Sequence, residues 1–460
     1  MECTLQADDQ TNVPITFVAD DDLKATHITL LMGGNGTSKS RLLAACIDHF
    51  LGTYEGPSSR KRSGSTFSCA TLRSVGPGTD GGPAKMLALS NLVRDRFPYF
   101  RNDEADEFYS YLGVRQGTNL TTTGALDQSV GEAVISTVGD SSKLARLRRW
   151  LHIFFPGAEI GIAFPRITLA QMKSYASADD GRMRLERRLA GAGRPFRPPL
   201  FDDIPGGLAA LADRAQSLFR LMLDHPNAET VSDAAGREVA LVSLEGSKPL
   251  AELTRIYDGV RYSEAARLGI RPSLYIYQDR WMGFDQLSSG EQNLFSVGAK
   301  LIAHAVPQSF ILIDEPEVSL NVSWQQRYVD LIRESLTDAP GCHVLIATHS
   351  PHFVSGLGEG QGSILLVKKE GQRLVYETRS AAYEAWGSEA VLYDVLDVPS
   401  ASSFAFNREV VNILTEIQNN TRDIGLIDAF LGKTERLIFS DSEPLGKVVS
   451  EIRKYRQRIQ

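Results

Sequence analysis

The sequence predicts an α/β fold on a mixed, mostly parallel sheet, interrupted by an inserted, mainly helical region and followed by a helical C-terminal tail. Three observations lead there. Apolar, β-branched runs recur at HITLLM (27–32), SFILID (309–314) and HVLIATHS (343–350), with helical patterns after the first two. These runs are continuous rather than alternating, as in strands covered on both faces of a parallel sheet with helical crossovers. A Gly-rich turn, GGNGTSKS, follows the first run and opens directly into a helical pattern.

Along the chain, ITFV (15–18) and HITLLM read as strands, and the helix after the Gly-rich turn carries Leu42, Leu43, Cys46 and Ile47. Residues 53–82 are rich in Gly, Ser, Pro and Thr and read as turns between exposed strands. AKMLALS (84–90) reads as a strand, and Pro98 forbids a continuous helix through NLVRDRFPYF. Helical periodicity returns at 207–225. From Pro272 the α/β alternation resumes with SLYIY (273–277), a helix near Ser289, SFILID, a helix over about 322–336, and HVLIATHS. Two strand-like runs, ILLVKK and RLVYETR, precede a tail that reads as helical from about Ala385. The expected organisation is one α/β domain over 1–380, split into 1–140 and 270–380 by an insertion at 141–269, and a separate helical tail at 381–460.

A chain of 460 residues with 42% hydrophobic and 23% charged residues holds two or three packed units, which excludes a disordered or fibrous protein. The formal net charge of −7 excludes a uniformly basic coat for nucleic acid. It also conceals an island. Between Lys143 and Arg197 twelve Lys or Arg stand against four Asp or Glu, a local net of +8. The four cysteines (Cys3, Cys46, Cys69, Cys342) are scattered without zinc spacing and read as reduced thiols. With no leader pattern in MECTLQADDQ and no run of about 18 apolar residues, the expected location is cytoplasmic, with no membrane contact.

Four motifs carry chemistry. Gly33-Gly34-Asn35-Gly36-Thr37-Ser38-Lys39-Ser40 lies close to the pattern GxxxxGK[ST], and Arg41 follows it. Such a loop aims backbone N–H groups at a polyphosphate, with Lys39 reaching β- and γ-oxygens and the Ser40 hydroxyl on Mg²⁺. Ser38 stands where the pattern has glycine, which brings a Cβ near the nucleotide and predicts slow binding or hydrolysis. Leu287-Ser288-Ser289-Gly290-Glu291-Gln292 opens a helix and leaves hydroxyls and N–H groups for an anion. As an ordinary helix start it would be capped by Ser289.

The third motif, Ile311-Leu312-Ile313-Asp314-Glu315-Pro316-Glu317, ends a buried strand in adjacent acids, at the edge where open α/β folds bind ligands. Asp314 is suited to the Mg²⁺ shell, directly with Ser40 or through water, and Glu315 to orienting or deprotonating water. The fourth, Ala347-Thr348-His349-Ser350-Pro351, puts His349 at another strand end, placed to donate to a γ-phosphate. Singly, each motif has a structural explanation as a turn, a cap or a strand end. Their order along one chain points to nucleotide binding.

With these residues the sequence resembles the ATP-binding-cassette type of P-loop ATPase, within it the heads related to SMC, RecF and OLD-like proteins. The resemblance covers about residues 10–55 and 270–370. It implies that Ser288, Ser289, Gly290, Glu291 and Gln292 act in trans on ATP held by a second copy, in a head-to-head dimer or higher oligomer. Ser319, Leu320 and Asn321 would form the D-loop, with Asn321 replacing a more usual acid, and Gln116 would be the Q-loop residue. The short span between the first two motifs lacks SMC-type coiled-coil heptads, and RLIFSDSEP does not supply a Toprim nuclease centre.

ILIDEPEVSLN, ALS…DRFP (88–98) and YLG (111–113) look most like the PtuA family, the ATPases of Septu-type and retron-associated antiphage systems. That likeness implies a separate HNH nuclease partner of PtuB type; a PARIS-type ATPase with a Toprim effector looks similar. The alternatives are a RecF-like DNA repair ATPase drawing on the basic island and, because of Ser38, a nucleotide-stabilised scaffold with little turnover. Nucleic acid would then be reached through the complex.

Overall fold

The computed structural model describes residues 2–6, 12–16, 25–34, 36–53, 68–73, 83–92, 95–99, 108–114, 124–178, 180–191, 207–233, 235–245, 251–261, 270–358, 362–370, 373–379, 391–392, 404–419, 424–434 and 444–458. Its centre is a seven-stranded sheet. In spatial order this runs β15 (Arg373–Arg379), β14 (Gly362–Glu370), β3 (His27–Gly33), β13 (His343–Thr348), β12 (Ser309–Asp314), β5 (Lys85–Ser90) and β6 (Tyr109–Tyr111). All neighbours pair in parallel except the β14–β15 hairpin at one edge. The hairpin matches the two runs expected after Gly362.

Continuous apolar strands need cover on both faces, and alternate side chains here enter different cores. Leu31, Ala88, Leu312 and Leu345 pack with Leu42, Leu43, Cys46 and Ile47 of helix α1 (Lys39–Thr53). Ile28, Leu30, Leu87, Ile311, Ile313 and Val344 enter the larger core on the opposite face. That face is covered by helices α2 (Ala125–Val138), α3 (Ser141–Phe154), α8 (Ser289–His304) and α9 (Val322–Ser335). Trp150 of α3 is buried directly over Gly298 of α8, where a side chain would collide with the indole.

Two smaller antiparallel sheets accompany the main one. The first joins β2 (Asn12–Thr16), β1 (Glu2–Gln6) and β4 (Ser68–Arg73). The second runs β11 (Trp281–Gly283), β10 (Ser273–Tyr277), β7 (Glu159–Ala163), β9 (Glu238–Ser243), β8 (Ala228–Ser232). Here the structure corrects the reading of SLYIY, which pairs antiparallel with β7 instead of entering the parallel sheet. The ambiguity is physical: Leu274 and Ile276 face the main core and Tyr275 a separate apolar layer, so the run is apolar throughout in either kind of sheet.

The 141–269 region holds helix α3, α4 (Leu169–Ala176), α5 (Gly181–Gly191), α6 (Gly207–Asp224) and α7 (Ala251–Arg261), together with three strands that helical periodicity passes over. In the tail, α10 (Phe404–Gln418), α11 (Ile424–Thr434) and α12 (Pro444–Arg458) enclose their own core of Phe406, Val410, Ile413, Ile427, Phe430, Val449 and Ile452. Cys46 and Cys342 are buried free thiols. Among the described residues no helix is long and apolar enough to cross a membrane.

At the amino ends of β3, β13 and β14 the layers enclose polar side chains. Thr29 Oγ1 lies 3.0 Å from His343 Nε2 and 3.1 Å from Ser363 Oγ, and His27 Nε2 lies 3.3 Å from Ser363 Oγ. Burial, aided by the neighbouring His27, holds the His343 imidazole well below its ordinary 6.5. The folded state keeps this ring neutral, so the unfolded chain binds the extra proton once the pH falls below 6.5. Its contribution to stability is present above that pH and lost below it. Between about pH 7.5 and about pH 5.5 the wild-type Tm should fall more steeply than that of His343→Gln. Parallel curves for the two proteins would remove His343 as the source.

Candidate functional site

Parallel register brings the three motif-bearing strands to one edge. Leu31 of β3 faces Ala347 of β13, and Ala347 faces Asp314 of β12. Gly33, Glu315 and His349 therefore leave the sheet side by side, although Glu315 comes 282 positions after Gly33 in the chain. The carboxyl edge of a parallel sheet is where such convergence is expected.

The loop after β3 turns sharply into α1. Gly36 has φ 79° and Ser38 φ 63°, both in the left-handed region, and Thr37 Oγ1 donates to Gly34 O at 2.8 Å. Asn35 lies outside the described residues. Lys39 begins α1, is largely buried, and its Nζ donates to Gly33 O at 2.9 Å and Gly34 O at 3.3 Å. The same Nζ lies 2.8 Å from His349 Nε2. An ammonium has only donors, so the imidazole accepts here, and Nδ1 lies 3.3 Å from the same Nζ. Arg41 is half-buried on the first turn of α1.

Ser40 Oγ donates to Asp314 Oδ1 at 3.0 Å. Asp314 is buried, which pushes its carboxyl up to about 7; the Ser40 bond opposes the shift, while Glu315, Asp95 and Glu317 add to it. Burial lowers Lys39, with Glu315, Glu317 and Asp314 opposing, and burial followed by the Lys39 charge lowers His349. Glu315 turns out of the strand at φ 47°, its N–H donating to Ala347 O at 2.9 Å and its Oε1 lying 3.6 Å from His349 Nε2. Four non-glycine residues among those described have positive φ, and Ser38, Glu315 and Ser319 are three of them. Strained backbone thus gathers in the motif loops.

The donor set suits a hard divalent cation: one carboxylate and one hydroxyl in mutual contact, with phosphate oxygens and water left to complete an octahedron. Among the described residues no group of three or more His, Cys, Asp or Glu forms an all-protein metal cage.

Ser288, rather than Ser289, caps α8. Its hydroxyl accepts from Glu291 N at 3.4 Å, and Glu291 Oε2 accepts from Ser288 N at 2.9 Å, a reciprocal capping box. Ser288 and Ser289 are exposed, and Gln292 Nε2 donates to the carbonyls of Phe284 and Leu287. A Cβ on Gly290 would lie 3.0 Å from Ser319 O, so this helix start abuts the turn carrying Ser319, Leu320 and Asn321. Asn321 Oδ1 caps α9 by accepting from Trp324 N at 3.0 Å. Thus Lys39, Ser40, Asp314, Glu315 and His349 form one group, while Ser288–Gln292 and Ser319–Asn321 form a second. No described hydrogen bond or ion pair joins the two.

Sequence reading passes over several residues here. Asn293 Nδ2 donates to Pro316 O at 3.2 Å and Val318 O at 2.7 Å, and Asn91 Nδ2 donates to Asn293 Oδ1. Asparagine is a poor residue for a helix interior, which is the signal that marks Asn293. Asn91 closes β5 beside β12, whereas Gln116 lies outside the described residues. Glu317 Oε1 accepts from His349 N at 2.6 Å.

Much of the basic island is paired within the chain. Arg146 meets Asp338 at 2.9 Å, Arg148 meets Glu245 at 3.2 Å, Arg182 meets Glu186 at 3.0 Å and Asp213 at 3.2 Å, and Arg184 meets Asp180 at 3.6 Å. Arg188 lies over the Tyr175 ring and donates to its hydroxyl.

Residues 186–355 match the family model described as "AAA domain, putative AbiEii toxin, Type IV TA system". The match takes in the second, third and fourth motifs. The Septu protein PtuA of Bacillus thuringiensis is 28% identical over 98 residues, covering 21% of this chain and 24% of that protein. The alignment thus spans about a quarter of the curated relative's length. Among solved structures, the SmcHead bound to the C-winged helix domain of ScpA has a TM-score of 0.30 and 14% identity, covering 82% of this chain and 97% of that one. The Smc head domain with an extended coiled coil, bound to the C-terminal domain of ScpA derived from Pyrococcus furiosus, has a TM-score of 0.28 and 15% identity, covering 82% and 96%. The family match supports an AAA-type ATPase domain.

Ser38 supplies a local test. A non-glycine residue in the left-handed region costs roughly 1–2 kcal/mol, offset in part by the extra freedom glycine has when unfolded. Ser38→Gly should raise stability by up to about 1 kcal/mol, read as a higher denaturant midpoint at unchanged slope. A lower midpoint would show that the serine side chain contributes more than its backbone costs.

Proposed function

We propose that this chain is an ATP-hydrolysing subunit of a PtuA-like antiphage defence complex, which assembles with itself and governs a separate nuclease. The observation that carries the ATPase reading is the Ser40–Asp314 hydrogen bond of 3.0 Å, with Lys39 and His349 2.8 Å apart beside it. Three distant motifs meet there in a buried, polar edge suited to a metal–triphosphate.

In this reading the loop N–H groups from Gly33 to Ser40, with Arg41 close by, cradle the phosphates, and Lys39 leaves the Gly33 and Gly34 carbonyls for β- and γ-oxygens. Ser40 and Asp314 would hold Mg²⁺, which when bound neutralises charge on the β- and γ-phosphates. Filling the site favours ionised Asp314, whose burial otherwise keeps the proton on up to about pH 7. Glu315 orients water in line with the γ-phosphorus and takes its proton as the new P–O bond forms and the β–γ bridging bond breaks, releasing ADP and phosphate. Once Lys39 turns to phosphate, His349 Nε2 loses its donor. The nearby anionic charge favours a proton there, and the ring then donates to the γ-phosphate.

Ser288, Ser289, Gly290, Glu291 and Gln292 would serve the nucleotide of a second copy, with Ser319, Leu320 and Asn321 at the same face. Support comes from the exposure of Ser288, Ser289, Val318 and Val322 around one helix start and one turn. Ser38 is proposed to slow turnover by placing a Cβ in the cradle. The tail over 381–460, with its own apolar core in α10–α12, is the proposed docking region for an HNH partner.

Glu315→Gln should lower phosphate release by about 100-fold or more and trap an ATP-dependent oligomer, measured by phosphate assay and light scattering. Unchanged release together with an unchanged oligomer would reject Glu315 as the water-activating group. Removal of residues 381–460 should abolish co-purification of the nuclease encoded beside this gene while ATP binding persists. A truncated protein that still brings the nuclease down would reject the tail as the docking region.

A further inference from the structure

We propose that Glu317 is the positioning residue for His349, tying the strand-end loop that carries the imidazole to the turn that carries Ser319. The proposal rests on the hydrolysis reading and adds a residue to it. Glu317 follows Pro316 on the way out of β12, and its Oε1 accepts the His349 backbone N–H at 2.6 Å, at the short end of charge-assisted bonds. This bond fixes the main chain at the residue whose ring faces Lys39. The ring itself touches the Lys39 ammonium, the Gly33 backbone and Glu315, and the Lys39 contact must rearrange when phosphate arrives.

Two further observations make this a built link. Glu317 Oε2 is buried without a hydrogen-bond partner, and the hydroxyl of Tyr328, a fully buried residue, is likewise unpartnered. Glu317 is near enough to join burial in raising the Tyr328 phenol. An acid present only for solubility would not place an oxygen in the interior at that cost.

On the far side of the same turn, Gln325 of α9 donates from Nε2 to Leu320 O at 2.8 Å and accepts at Oε1 from Ser350 Oγ at 2.6 Å. Both His349 and Ser350 are therefore fastened to residues flanking Ser319, one before the turn and one after it. Ser350 also caps the short helix Pro351–Gly356, which accounts for its own position without reference to catalysis. The Glu317 bond to His349 has no such second purpose.

The test is steady-state ATP hydrolysis by the full chain with Glu317→Ala, Glu317→Gln, His349→Ala and the Glu317→Ala/His349→Ala double variant, with Tm measured for each. Loss of a charged acceptor that acts only on ring placement should lower kcat about 10- to 100-fold and move KM for ATP by less than about threefold. Glu317→Gln keeps an oxygen for the same N–H and should recover most of that loss. In the His349→Ala background Glu317→Ala should change kcat by less than about twofold, because the group it positions is gone.

A wild-type kcat in Glu317→Ala, or losses that multiply in the double variant, would overturn the proposal while hydrolysis that depends on Lys39 keeps the broader reading. Absence of wild-type hydrolysis would overturn both. Should Glu317→Ala fail to fold, the same cycle run with Glu317→Leu, which fills the space without an acceptor, and His349→Ala decides: multiplied losses reject the link, and non-multiplied losses support it.

Discussion

The hydrogen bond from Ser40 to Asp314 joins the first turn of α1 to the end of a strand 274 residues later, and it exists only because β3, β13 and β12 lie in parallel register. A one-residue slip of any of the three would send its side chains to the opposite face and separate the hydroxyl from the carboxylate. The register in turn is held by two different cores, one under α1 and one under α2, α3, α8 and α9. The chemistry at the edge therefore depends on the burial of Leu31, Ile311, Leu312 and Val344, none of which is reactive.

Burial also sets the electrostatic character of that edge. Lys39, Asp314 and His349 are each displaced toward their uncharged forms by desolvation, and each is partly restored by neighbours of suitable charge or a donated bond. An opposite charge placed beside any of these groups would act more strongly than it does in water, because it offsets an existing desolvation penalty. Left-handed Ser38, Glu315 and Ser319 add backbone strain in the same motif loops.

The sequence made the parallel core legible because both its strand runs and its punctuation are local signals: apolar stretches ended by glycine or acid. It also made Lys39 and Ser40 legible through the Gly-rich loop pattern, and Asp314, Glu315 and His349 through their places at strand ends, and the structure brings these five together. What it left hidden depends on partners far along the chain. SLYIY looks the same in either kind of sheet; EIGIA is a strand because it pairs with SLYIY on one side and EVALVS on the other, and EVALVS because it lies between EIGIA and β8. Glu317 and Asn293 look like ordinary polar residues until their acceptors and donors, supplied by other loops, are in place. Lys300 reads as the polar flank of α8, yet it is buried, donates to Leu112 O at 2.8 Å and is pushed down to about 7 by that burial.

The pairing of β10 with β7 reaches beyond the shape of the second sheet. Residues 273–277 lead through β11 and the turn at Phe284–Gln286 into α8, while residues 159–163 lie within the inserted region, so one ladder of backbone bonds stitches the insertion to the segment that follows it. The insertion is consequently not a cassette that evolution or an engineer could lift out at its sequence boundaries. Excision would strip a central strand from its neighbour and expose the ladder to solvent. A change in the remote helices of that region has a mechanical route, through β7 and β10, to the helix that bears Ser288 and Gly290.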